Sequence, residues 1–519
     1  MRRSWMLFLA VFLAGAGHSA TSHADVRLPT IIGNNMVLQA DKPLPIWGWA
    51  EPGEDVSVTL GAEKATAKAD AQGNWRANLP AQKASATAAE MTVAGKNNIK
   101  ITNILVGEVW GGSGQSNMQQ SVAASANSGQ EIQQANYPQM RLFLVPLRLS
   151  PTPLDNVDAK WVVCTPETVP SFTAVLYFFG REIHKTLNVP VGLIGVSWGG
   201  SRIEPWMTYS QFAAQPELKP ELDNYNKMKA DRANAMAARK ALLPAIKAWL
   251  DAAEKAVAAG KDVPDAPGVP GDPLNTFVSP AAMYNGMVHA LVPYAIRGFL
   301  WYQGESNRGQ GMHYHDLMKG LIANWRSLWN SGDFPFLWVQ LAPYYYDLNE
   351  TALPEIWEAQ SATLAVPNTG MAVTTDIATI KDIHPPNKQD VGKRLALWAL
   401  ANTYGKKDLP YSGPVYESLA VEGDKIRLKF THTAPGLVAR DGKPLSWFSI
   451  AGDDKQFQPA VAEISGDTVV VSSPKVPKPA AVRFGWNQIA EPNLSNKAGL
   501  PASPFRTDRW TDAKNAPAQ

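Results

Sequence analysis

One cysteine, Cys164, in 519 residues excludes an internal disulfide and leaves no thiolate cluster for a zinc or iron–sulfur centre. Charge is scarce as well: 18% of residues are charged, with 48 Lys and Arg against 46 Asp and Glu. Arg2 and Arg3 fall in the first 24 residues, which hold no acid, so the rest of the chain carries 46 charges of each sign. Bulk charge therefore recruits neither nucleic acid nor an anionic membrane. No segment reaches the ~18–20 continuous apolar residues that a spanning helix needs, so stable membrane insertion is not expected. Tryptophan, in contrast, is plentiful, and 18 Trp exceed both 16 Phe and 14 Tyr. Flat amphipathic rings suit a protein that handles sugars, although most belong to a core. At ~100–200 residues per domain the length calls for two to four domains.

The chain begins as an export signal does. Arg2-Arg3 precedes the apolar run Trp5–Ala16, and small residues lead to Ala24, so residues 1–24 read as a signal peptide and the mature protein as periplasmic or secreted. Residues 25–105 give short alternating segments such as Val56–Leu60, split by Pro52-Gly53 and Gln72-Gly73-Asn74, the pattern of a small β-sandwich. Residues 106–410 change texture. Apolar runs at Ile104–Trp110, Val189–Ser197, Gly298–Tyr302, Phe336–Leu341 and Met371–Thr375 alternate with helical stretches, Ala174–Leu187 among them, and the last helix follows Pro385-Pro386-Asn387. That alternation predicts an α/β domain with a parallel sheet covered by helices on both faces. Within it, about 218–280 is a helical insertion of two amphipathic helices broken near Pro244, followed by a Pro/Gly-rich stretch. Short strands return in a C-terminal β-rich region, 411–519.

A serine that transfers acyl groups needs a base, and histidine is the usual one near neutral pH. Eight histidines occur, two of them in the signal. His184 lies within a helix, His432 in the C-terminal β region, and His289 in an apolar run that suits a packed core residue. His313 and His315 form an H-x-H pair with no third ligand nearby, so a solvated loop before a helix is the plainer reading and no metal is expected. His384 stands apart: Lys381-Asp382-Ile383-His384-Pro385-Pro386 sets an acid two residues before an imidazole in a loop between a strand and a helix, where α/β enzymes keep catalytic groups.

Two serines compete for the nucleophile. Ser197 in Gly195-Val196-Ser197-Trp198-Gly199 matches the G-x-S-x-G elbow, with Asp382 and His384 following in the required order. Ser116 in Gly114-Gln115-Ser116-Asn117-Met118 follows the first strand of the α/β region, and its small neighbours free backbone N–H groups for an oxyanion. A third cluster, Trp301-Tyr302-Gln303-Gly304-Glu305-Ser306-Asn307, offers the amides of Gln303 and Asn307 as oxyanion donors and Glu305 to orient its neighbours or contact substrate.

These three clusters and the Asp382–His384 loop, in this order, resemble the SGNH hydrolase superfamily, in particular its sialate O-acetylesterase branch. The likeness extends from Met36-Val37-Leu38-Gln39 and Trp47-Gly48 to Gly499–Asp508, nearly the whole mature chain. The resemblance implies a flavodoxin-like three-layer catalytic domain that removes acetyl groups from sugar hydroxyls with no metal or other cofactor. It makes Ser116 the nucleophile and His384 the base, with Gly199 or Gly200 joining the Ser116 N–H in the oxyanion hole and Gln303 and Asn307 as rival further donors. Asp382 is the expected acid; because the family usually spaces acid and histidine three apart, Asp376 stands in reserve.

Arg202 and Trp206, just beyond the oxyanion glycines, are candidates to bind a sialate carboxylate and to stack on a sugar ring; the alternative for Arg202 is a loop-shaping pair with Glu204. The expected substrate is thus an O-acetylated carbohydrate, 9-O-acetylated sialic acid first and acetylated xylan or another hemicellulose second. A non-catalytic sugar-binding protein is the rival from another class.

Overall fold

The computed structural model describes residues 25–510, and the signal peptide expected at 1–24 lies outside them. The chain opens with seven strands: β1 (Val37–Gln39), β2 (Leu44–Trp49), β3 (Asp55–Leu60), β4 (Glu63–Lys68), β5 (Asn74–Leu79), β6 (Ser85–Ala94) and β7 (Asn98–Gly114). Strict alternation buries Val56, Val58 and Leu60 of β3 and Trp75, Ala77 and Leu79 of β5 while their neighbours face outward. β2 pairs with β5, β3 with β4 and β6, and β6 with the first half of β7, all antiparallel. β7 then runs unbroken through residues 105 and 106, and its second half, buried throughout, becomes the centre of another sheet.

That sheet is built from α1 (Ser116–Gln119), α2 (Ser128–Gln133), β8 (Tyr137–Leu144), β9 (Trp161–Cys164), α3 (Ala174–Leu187), β10 (Val191–Ser197), α4 (Tyr209–Ala214), α5 (Lys219–Ala258), β11 (Gly298–Tyr302), α6 (His313–Trp329), β12 (Phe336–Val339), α7 (Ala352–Ala362), β13 (Thr369–Ala372) and α8 (Lys388–Asn402). The strand order is β13-β12-β11-β7-β10-β8-β9, parallel except for β9. Its two faces can be read from consecutive glycines of β7. A Cβ on Gly111 would strike Phe299, whose ring packs on Trp325 and Trp329 of α6, whereas one on Gly112 would meet Leu176 of α3. Helices thus cover both faces, giving three layers, and β10, β11 and β12 are apolar along almost their whole length because neither face meets water. Six tryptophans, among them Trp110, Trp301 and Trp325, are fully buried here.

Three details differ from the sequence reading. The 40-residue α5 continues through Pro244 instead of breaking there. Pro244 cannot donate to the carbonyl of Lys240, but the helix is largely solvent-exposed around it, so water can take that carbonyl. β8 and β9 lack a long apolar run: Pro138, Gln139 and Arg141 interrupt the first, and the second is apolar but only four residues long. His313 and His315 sit on the first turn of α6 rather than in a loop.

From Val415 to Arg506, short antiparallel strands close around a separate core that includes Ile426, Leu428, Ile450, Val469 and Phe484. This region grips the loop after β12, since Gln488 accepts from the Tyr344 N–H and donates its own N–H to the Glu350 carbonyl, both at 2.9 Å.

Candidate active site

Parallel strands present their C-terminal ends at one edge, and β7 lies where the chain reverses its direction of travel across the sheet, toward β10 on one side and β11 on the other. Ser116 begins α1 two residues past the end of β7, with only Gln115 between them. The turn needs glycine at 114: its φ is +135°, and a Cβ there would lie 2.2 Å from the Tyr302 carbonyl oxygen. The Gln115 N–H donates to that same carbonyl at 2.9 Å, locking the turn to the end of β11.

Every cluster singled out in the sequence meets at this turn. From β10, the Trp198 N–H donates to the Gly114 carbonyl at 3.0 Å, and a Cβ on Gly199 would come within 3.3 Å of the Ser116 Cβ. From the β11 loop, the N–H groups of Gly304 and Ser306 both donate to Gln115 Oε1 at 3.4 Å. From the last loop, the Ile383 carbonyl accepts from Asn117 Nδ2 at 3.0 Å, placing the residue before His384 against the residue after Ser116. Ser197 is arranged differently. It is the last residue of β10, in register with Gly114 and 5% exposed, and a loop leads from it to the single turn at Glu204–Trp206. The strand–turn–helix that an elbow serine requires therefore belongs to Ser116.

Beneath Ser116 lies a buried charged relay that sequence reasoning missed. Lys388, fully buried at the start of α8, donates its Nζ to Asn117 Oδ1 at 2.6 Å and sits 5.2 Å from the Tyr302 ring centre. Asn117 Nδ2 donates in turn to Glu305 Oε1 at 2.7 Å, while Glu305 Oε2 is buried with no hydrogen-bond partner among the described residues. Burial pushes the Lys388 ammonium down to about 7, against the pull of Glu305 and Asp382, and pushes the Glu305 carboxyl up, against the Asn117 bond and the Lys388 charge. Glu305, expected to orient its neighbours or contact substrate, is thus turned beneath the nucleophile turn, where it holds Asn117. Lys388 had one signal, its place four residues after His384 on the first turn of the helix that Pro385-Pro386-Asn387 announces.

His384 is half-buried, and burial lowers its pKa, with the Lys388 charge adding to the shift and Asp382 opposing it. Asp382 meets His384 at the main chain, Oδ1 accepting from the His384 N–H at 2.8 Å. The reserve acid is committed elsewhere: Asp376 forms a two-pronged pair with Arg394 at 2.7 and 2.6 Å. The lowered pKa keeps the imidazole neutral below the ordinary histidine value. The acid limb of kcat/KM is therefore expected below pH 6.5. Asp382→Asn removes a charge that raises the pKa and moves the limb to lower pH. Lys388→Met removes one that lowers it and moves the limb up. A pH profile in which the two variants shift the same way contradicts this assignment.

Other expected site residues are corrected by their bonding. Gln303 and Asn307 are fully buried and committed. Gln303 Nε2 donates to the Ser201 carbonyl and to Asn307 Oδ1, at 3.1 and 2.7 Å. Asn307 Nδ2 donates to Glu204 at 3.2 Å and to Gln310 at 2.7 Å. Neither amide has a donor to spare for an oxyanion. Trp206 is 0% exposed, with its Nε1 donating to Ser201 Oγ at 3.1 Å and its ring edge-on to Trp301, so it offers no face to a sugar. Arg202 is 41% exposed and paired with Glu204, at 2.8 Å for the shortest contact. Gly199 donates its N–H to Gln119 Oε1 at 2.7 Å, whereas Gly200, at φ +76°, uses its carbonyl to accept from Ser306 Oγ at 2.8 Å. His313 and His315 diverge, one toward Glu221 at 2.8 Å and the other toward Thr363 at 2.9 Å. His289, expected in the core, is a third exposed and lies 3.5 Å from Asp155.

Comparison with known proteins shows the family to which the chain is similar. Residues 263–401 match the family described as carbohydrate esterase, sialic acid-specific acetylesterase. The sialate O-acetylesterase of Rattus norvegicus is 30% identical over 96% of this chain and 96% of its own length. That of Homo sapiens is 30% identical over 78% of this chain and 76% of its own. The crystal structure of a carbohydrate acetylesterase from Xanthomonas citri has 35% sequence identity and a TM-score of 0.79, covering 93% of this chain and 100% of that one.

Proposed function

The chain belongs to the sialate O-acetylesterase family, and from that premise we propose how its site works and which glycan it serves. It is an esterase that removes O-acetyl groups from carbohydrates, so the purely sugar-binding alternative falls away. Ser116 Oγ attacks the acetyl carbonyl while His384 takes its proton. The carbonyl electrons collect on oxygen, held by the N–H groups of Ser116 and Gly200, the first of which α1 cannot use for its own bonding. Collapse breaks the bond to the sugar oxygen, which takes the proton from His384 and leaves as the free hydroxyl. Water then attacks the acetyl-enzyme with His384 again as base, releasing acetate. Asp382 acts as the acid of the set through its charge and its hold on the His384 main chain. The observation that carries this reading is the Asn117 bond to the Ile383 carbonyl at 3.0 Å, which ties the serine turn to the histidine loop.

The first substrate is a 9-O-acetylated sialic acid, and the protein works outside the cytoplasm, as its N-terminal leader suggests. One observation favours a second reading, acetylated xylan or another neutral hemicellulose: Glu204 already neutralises the exposed Arg202 that a sialate carboxylate would seek. Acetate release from acetylated sialosides and from acetylated xylo-oligosaccharides decides between them. If Arg202 binds sialate, Arg202→Ala raises KM about tenfold or more on the sialoside, the loss of a charge-assisted pair, and spares the xyloside. Equal changes on both make Arg202 a loop residue, and a wild-type preference for the xyloside moves the function to hemicellulose.

A further inference from the structure

A cavity of about 420 Å³ that the active site does not use opens beside the β2–β5 pair, within the ~300–1,000 Å³ range of ligand pockets. Its other wall includes His289 and Pro293, on the segment that enters β11, whereas Ser116 lies where β7 and β11 end. Register explains its lining. Trp47 stands opposite Arg76 and Trp49 opposite Asn74, with Gly48 and Trp75 paired between them. Directly opposed residues share a face, as do residues two apart along a strand, whereas adjacent residues do not, so two indoles, a guanidinium and a carboxamide project together while Trp75 turns into the core.

Both indoles are only half-buried, and Asn74 and Arg76 are exposed. Their planes are held from behind: the Arg27 guanidinium lies 5.8 Å from the Trp49 ring centre, and Trp47 packs edge-on to Tyr294 at 6.5 Å. The charges balance, with Lys68 and Arg76 set against Asp70 and Asp155. Asp70 is consumed by its own turn, accepting from the Gln72 and Asn74 N–H groups at 2.9 and 2.8 Å. Among the described residues, Arg76 spends only its Nε, on Asn78 at 3.3 Å, and Asp155 touches only His289, at 3.5 Å. What remains is a preorganised apolar platform edged by one strong donor and one strong acceptor, with no net field to select an ion. That combination fits the C–H face and vicinal hydroxyls of a pyranose.

We propose that this cavity is a second saccharide-binding site, which seats a neutral pyranose unit of a glycan chain on Trp47 and Trp49 with its hydroxyls on Arg76 and Asp155. It holds glycan independently of the catalytic turn. Titration calorimetry of the full chain with unacetylated xylohexaose, cellohexaose and mannohexaose tests it, with 3′-sialyllactose as the charged comparison. At least one neutral hexasaccharide binds the wild type. Trp49→Ala and Arg76→Ala each weaken that binding about tenfold, while kcat/KM on 4-nitrophenyl acetate stays within about twofold. Arg76 is exposed and its replacement leaves the core intact, so that variant decides the matter if Trp49→Ala does not fold. The proposal is overturned if no neutral hexasaccharide binds, if binding survives Arg76→Ala unchanged, or if only 3′-sialyllactose depends on these residues.

Discussion

Ser116→Ala is expected to lose about 10⁴–10⁶-fold in kcat on an acetylated sugar, while Ser197→Ala stays within about tenfold. Both serines lie at the same edge of the parallel sheet, and the G-x-S-x-G motif taken alone favours Ser197. The two differ in how the chain leaves the sheet. After Gly114 it turns through a conformation closed to other residues and enters α1 at once, leaving Ser116 partly open at the surface. After Ser197 it runs on into a glycine loop, with the serine held at 5% exposure in the last pair of β10 with β7. A mutated nucleophile removes the covalent route entirely, whereas losing a buried hydroxyl beside the pocket costs only local packing. Single-turnover acetate release from both variants, with folding verified by circular dichroism, is the measurement. An inactive Ser197→Ala beside an active Ser116→Ala would replace the present assignment with an α/β-hydrolase type of site.

The sequence carried the sheet well where burial was two-sided. β11 coincides with the run Gly298–Tyr302 and α3 with Ala174–Leu187, because a strand between two helical layers has no polar position to blur its ends and a helix between a sheet and α8 shows a broad apolar face. β8 escaped notice because its polar residues find private partners. Arg141 is 3% exposed, yet it reaches the Pro138 carbonyl and, at 3.2 Å, Asn103 Oδ1, so a buried strand reads as a polar one. The site was legible to the same degree. Motif order brought four clusters to one edge, but whether an amide points at a substrate or into a network is a matter of side-chain partners. Gln303 and Asn307 look like free donors in the sequence and are spent on Ser201, Glu204 and Gln310 in the fold. Trp206 looks like a sugar platform and is core. Lys388 looks like a solvated helix residue and is the buried end of the relay beneath Ser116.

That relay gives the second large effect. Lys388→Met should destabilise the protein by about 3 kcal/mol, at the low end for breaking a buried charge pair because Asn117 bridges the two groups. The thioether can fill the volume, but it leaves Asn117 Oδ1 without its donor and the buried Glu305 carboxylate without its counter-charge. Activity falls separately. Asn117 also holds the Ile383 carbonyl, so its reorientation shifts His384 relative to Ser116, and an ångström of misplacement costs about 100-fold in kcat. The pH dependence of stability carries its own signature. With Lys388 lowered to about 7 in the folded chain against 10.5 for the ordinary group, the unfolded state binds more protons between those values. The wild-type contribution is therefore present above 10.5 and lost progressively as pH falls from there to about 7, and Lys388→Met abolishes that slope. Urea denaturation at several pH values reads both effects. Adding Glu305→Gln to Lys388→Met removes the stranded charge and should recover much of the stability without recovering kcat. A single mutant within about 0.5 kcal/mol of wild type with unchanged kcat would mean that water solvates the pair and that Asn117 holds the histidine loop without help from Lys388.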